Sequence, residues 1–263
     1  MKNLSTKLML GAVSLAGLAA TTAPAFADDT DWGTVSAYVD VQSDYRFRGI
    51  SQNNRDFAPQ ASINWSGPDG FYAGVWASKI DWLGASPFGG TPSLETDFYG
   101  GKHFDLGGTD LNVEAYYYGY PEFNKAKFGA LTGVFGEASF LEGIVQLSHS
   151  FGDLAVTATG AFSPQFTLSG GVSEYVEGSA SYPLLDWLSI SANVGHQWVD
   201  AATSDYTHFD IGLTATWHSW ALDVRANGTD LNTANCGFYM VTKNACTTGV
   251  VATLTYNIAD VLK

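Results

Sequence analysis

The stretch Gly33-Thr-Val-Ser-Ala-Tyr-Val-Asp-Val-Gln-Ser-Asp-Tyr-Arg-Phe-Arg-Gly49 decides the fold class. Val35, Ala37, Val39, Val41, Tyr45 and Phe47 fall on one parity, and Ser36, Asp40, Gln42, Asp44, Arg46 and Arg48 fall on the other. Successive side chains of a strand point to opposite faces, so this period of two predicts one long amphipathic strand. Working outward, the same alternation returns in Ala61/Ile63/Trp65 against Gln60/Ser62/Asn64 and in Leu111/Val113/Ala115 against Asn112/Glu114. Leu188 to Val194, Phe209 to Trp217 and Val250 to Tyr256 repeat it.

The composition fits strands. Among 263 residues, 14% are charged and 14% aromatic, with 29 Gly and only 3 Met, which favours an aromatic, Gly-rich all-β protein over a helical bundle. A hydrophobic share of 46% excludes a disordered chain. The net charge of −14 excludes a sequence-general grip on nucleic acid, which needs clustered Lys and Arg.

Residues 1–27 read as a cleaved secretory leader: Lys2 and Lys7 form a basic start, Leu8 to Ala20 an apolar run, and Ala25-Phe26-Ala27 a small-x-small cleavage site. Residues 28–263 then form a single domain. No later run is long and apolar enough for a transmembrane helix, so a membrane role falls to strands. Cys236 and Cys246 are the only cysteines, and after a leader they are expected to form a local disulfide. The residues between them include no His, Asp or Glu to complete a metal site, and no metal or cofactor is expected.

The connections point to a membrane barrel, in which short and long links alternate. Short links are expected at Ser66–Gly70, Asp105–Asp110, Gly152-Asp153, Pro183–Asp186 and His218-Ser219. Longer ones interleave with them at Gly49–Asp56, Asp81–Ser93, Pro121–Ser139, Pro164–Gly171, Val199–Asp205 and Thr229–Thr248. Eleven connections predict about twelve antiparallel strands with both termini on the short-turn side. Spanning strands must close into a barrel, because an open edge in lipid leaves backbone groups unpaired. Short turns are then periplasmic and long loops extracellular. Trp65, Phe71, Trp82, Phe104, Tyr182, Trp187, Trp198, Trp217, Trp220 and Tyr256 lie near strand ends, where an interfacial aromatic girdle belongs.

Ser43-Asp-Tyr-Arg-Phe-Arg-Gly-Ile-Ser-Gln52, Gly70 to Ser78, Leu94 to Gly101, Tyr118-Gly-Tyr-Pro121, Tyr175-Val-Glu-Gly178 and Tyr182-Pro183 together resemble the TorF family of porins. That resemblance implies a Gram-negative outer-membrane β-barrel with a channel role. It brings no catalytic residues with it. The chain departs from such barrels at its end, where Ala259 to Lys263 replaces a terminal aromatic residue.

With the apolar parity facing lipid, the lumen is expected to receive Asp40, Asp44, Arg46 and Arg48 from the first strand and Glu95, Asp97 and His103 from the fourth. Glu114, Tyr116, Tyr118, Tyr120, Glu177, Asp210, Asp223 and Arg225 join them. Acids outnumber bases, which favours cations. The expected function is passive diffusion of small polar solutes or cations, the barrel being inserted into outer-membrane lipid by the assembly machinery. The alternative is a structural or adhesive barrel whose facing Arg and carboxylate sets plug the lumen. An enzyme is not expected: neighbouring Ser148 and His149 would point to opposite faces, and Gly-x-Ser-x-Gly and His-Glu-x-x-His are absent.

Overall fold

The computed structural model describes residues 32–81, 93–126, 136–202, 205–239 and 244–262. Residues 1–27, expected to be a leader, and Trp82 lie outside them. Fourteen strands occur among the described residues. Twelve of them, β1 (Thr34–Gln42) and β4 (Ala58–Ser66) through β14 (Gly249–Leu262), form one closed antiparallel barrel in which each strand pairs with its chain neighbours and β1 closes on β14. Closure removes the exposed edges that an open sheet would present.

The intervening barrel strands are β5 (Phe71–Lys79), β6 (Leu94–Asp105), β7 (Thr109–Gly119), β8 (Phe140–Phe151), β9 (Leu154–Ser163), β10 (Ser173–Leu185), β11 (Leu188–Val199), β12 (Tyr206–Trp217) and β13 (Trp220–Thr229). Five tight links gather at one end of the barrel and six longer ones at the other, as the sequence predicts; β1 begins and β14 ends at the turn end. In the link after β6, the Asp105 carboxylate accepts hydrogen bonds from Gly107 N and Gly108 N, both at 2.9 Å. Both glycines have the positive φ (76° and 94°) that this turn requires. One turn is shifted: Pro183 to Leu185 continue β10, and the chain reverses at Asp186-Trp187.

Period two is visible in exposure. Ile63, Phe98, Leu141, Val194, Ile211 and Leu254 point outward and are exposed, while Gln60, Asp97, Glu142, Asp210 and Thr255 on the opposite parity are buried. The wall is thus inverted relative to a soluble protein, apolar outside and polar inside. At the turn end, Phe71, Phe104, Tyr182, Trp187, Trp217, Trp220 and Tyr256 all expose their rings outward. The disulfide is present: Cys236, in the short helix α1 (Thr233–Tyr239), is bonded to Cys246.

The expected first strand needs correction. Its regular pairing stops at Gln42; Ser43 still bonds Ala252 of β14, and residues 44–57 leave the wall. Inside that link lie the remaining two strands, β2 (Arg46–Phe47) and β3 (Ile50–Ser51), paired only with each other. Arg48 and Gly49 form the two-residue turn between them, with φ of 46° and 84°. Two positive φ values in a two-residue hairpin are the signature of a type I′ turn, whose twist matches the flanking strands.

Candidate functional site: an occupied lumen

The β2–β3 hairpin folds into the barrel instead of standing above it. It is held first by its own residues: Asp44 accepts from Arg46 Nε at 2.7 Å and from Ser51 Oγ at 2.6 Å, and Asn53 Oδ1 accepts from Tyr45 N at 3.1 Å. Its side chains then reach the walls. Arg46 donates to Asn227 Oδ1 on β13 (3.3 Å) and to the Thr247 carbonyl (2.8 Å). Tyr45, fully buried, meets the ring of Trp76 on β5, and Phe47 meets Tyr118 on β7.

Arg48 completes the crossing. Its guanidinium grips Glu142 on β8 through two parallel hydrogen bonds of 3.0 and 2.7 Å, donates to Gln197 Oε1 on β11 at 2.5 Å, and lies 3.8 Å over the ring of Tyr175 on β10. Paired, bidentate geometry is what makes so deeply buried a charge tolerable. Gly49 permits the close fit, since a Cβ there would stand 2.7 Å from both His208 Cβ and Thr229 Cγ2. The hairpin therefore touches strands all around the loop-end half of the lumen.

The turn-end half is different. On β1, β8 and β10 to β12 its inward positions carry small hydroxyls, among them Ser36, Ser150, Ser181, Ser189 and Thr216, all exposed or half-exposed, while β6 and β7 place His103 and Asp110 there, 2.8 Å apart. The lumen runs from a solvent-accessible turn-end half to a densely packed loop-end half.

The sequence-derived residues fall into three groups. Asp40, Glu95, Asp97, Glu114, Tyr116, Tyr118, Asp210, Asp223 and Arg225 sit on the inward parity of β1, β6, β7, β12 and β13. Asp44, Arg46 and Arg48 are inside the barrel too, but on the hairpin, not on a wall strand as the sequence suggested. Tyr45 and Phe47, assigned by parity to the lipid face, are inside with them. Glu142 and Gln197 were missed; their inward parity on β8 and β11 was the available signal, but nothing local tied them to Arg48.

Charges are unevenly paired. Arg46 pairs with Asp44, Arg48 with Glu142, and Arg225 with both Asp223 (2.7 Å) and Asp210 (2.5 Å). Asp40, Glu95, Asp97 and Glu114 have no ion-pair partner among the described residues. Tyr120 donates to Glu95 at 3.2 Å and Tyr116 to Asp97 at 3.1 Å. Ser148 and His149 do point to opposite faces. Ser148 bonds Thr157 inside, and His149 bonds Thr109 and packs its ring on Phe151.

Residues 27–258 match the model of a family described as "Bacterial protein of unknown function (Gcw_chp)". The chain belongs to that family. A search of curated proteins finds no match to this Gcw_chp member. Among solved structures it resembles the KdgM porin, with a TM-score of 0.54 at 10% identity over 84% of this chain and 98% of that one. The KdgM porin in complex with disordered oligogalacturonate matches equally, and the NanC porin matches with a TM-score of 0.53 at 7% identity over 87% and 100%. At such identities the likeness is one of fold: the Gcw_chp chain has the barrel of outer-membrane porins.

Proposed function

We propose that the protein is an outer-membrane channel of Gram-negative bacteria for passive diffusion of small polar solutes and ions, narrowed by the inward hairpin and weakly cation-preferring. Residues 1–27 are its cleaved leader, the turn end faces the periplasm, and the loop end faces outward. The apolar outer belt, the aromatic turn-end ring and the solvent-accessible turn-end lumen support a spanning channel, in keeping with the resemblance to TorF porins. The observation that carries the selectivity is the asymmetry of pairing. Every inward arginine found among the described residues is held by a carboxylate, whereas Asp40, Glu95, Asp97 and Glu114 are not matched by a base. Across a lumen on the order of a Debye length wide, roughly 8 Å at physiological salt, their potentials add. A polyanion such as the oligogalacturonate of the KdgM complex would meet like charge here.

Planar-bilayer recording in a salt gradient tests this reading. The reversal potential is expected to carry the cation-selective sign and to move towards zero in Glu95→Gln/Asp97→Asn. An anion-selective sign would overturn it. The second reading, a plugged structural barrel, is favoured by the Arg48 crossing, and a wild-type protein that inserts yet never conducts would establish it.

A further inference from the structure

At the turn end, the outer wall carries a shallow, open groove lined by Trp65, Phe71, Gly100, Lys102, Phe104 and Val113. Cross-strand register builds it. Phe71, Lys102 and Val113 pair in a row across β5, β6 and β7, and Phe104 lies two residues beyond Lys102 on the same outward face. One step towards the loop end, Gly100 pairs with Ala73 and Ala115, so the floor of the groove bears nothing larger than a methyl group.

Lys102 stands out on this wall. Its ammonium lies 4.3 Å from the centre of the Phe71 ring and 5.2 Å from that of Phe104, and no carboxylate stands within ion-pair distance among the described residues. Lys79, which also points outward but at the loop end, is paired with Asp56 at 3.0 Å. The two rings hold the lysine stem along the wall while leaving its N–H groups free, at the depth where an interfacial lysine meets headgroups. On a protein of net charge −14, an unpaired outward cation is a selective point for a negative group.

We infer that this groove binds one anionic phospholipid, with an acyl chain over Gly100 between the aromatic walls and the phosphate on Lys102. The inference rests on the barrel spanning a bilayer, and is independent of whether the lumen conducts.

Native mass spectrometry of delipidated protein released from detergent, with phosphatidylglycerol or phosphatidylcholine of matched chains, tests it. Wild type is expected to retain phosphatidylglycerol several-fold better than phosphatidylcholine. Lys102→Gln should abolish that preference, Lys102→Arg should keep it, and Lys79→Gln should leave it unchanged. Gly100→Leu, which fills the floor, should lower retention of both lipids. Equal retention of the two lipids by wild type, or an undiminished preference in Lys102→Gln, overturns the site while leaving the channel intact. A protein that stays soluble without detergent and binds neither lipid overturns the spanning reading, and the site with it.

Discussion

At the scale of single residues, Arg48 holds the lumen's contents together. Its partners come from three separate wall strands, and Glu142 also accepts from Tyr118 at 3.2 Å, so both terminal guanidinium nitrogens and the carboxylate are held by directed bonds. Removing one partner of such a pair strands the other charge. Arg48→Ala is therefore expected to cost about 3 kcal/mol, seen as a lower unfolding midpoint in detergent. The variant Glu142→Gln, which leaves an amide able to accept from Arg48, should cost less. If both variants unfold like the wild type, the pair does not hold the hairpin. None of this pairing was legible from sequence, because Arg48 and Glu142 are 94 residues apart and only barrel closure brings them together. The inward parity of Asp97, Asp210 and Arg225 was legible, because it follows from local alternation alone.

At the scale of elements, the alternation of short and long links predicts the strand number, since a wall with one lipid face and one lumen face writes its period into every strand. The same rule failed at residues 43–49. Tyr45 and Phe47 continue the apolar parity of Val39 and Val41, yet they serve an apolar patch inside the barrel, against Trp76 and Tyr118. The contrary signal was Arg48-Gly49, a pair suited to a tight hairpin turn. Gln42 pairs directly with Ala58, so the wall itself needs only a short connection there, and the rest of the link is free to fold inward. Sidedness follows from the links. A cysteine replacing Ala202, in a loop-end link, should react with an impermeant reagent on whole cells, while one at Asp69 or Gly107 should not. Reversed labelling would invert the proposed orientation.

At the scale of the whole molecule, the structure is a polar lumen in two parts, a solvent-accessible turn-end half and a packed end built around one hairpin. The wall supplies closure and an apolar exterior; the hairpin determines how much of the cross-section remains. For the channel proposed above, residues 44–53 rather than the strand number are expected to set the conductance. The most direct test is single-channel conductance of the wild type beside a chain in which residues 44–53 are replaced by a short Gly-Ser link joining β1 to β4, with barrel integrity checked by heat-modifiable migration in gels. The shortened barrel is expected to conduct several-fold more than the wild type. Equal conductance of the two intact barrels would contradict the assignment of the constriction to the hairpin.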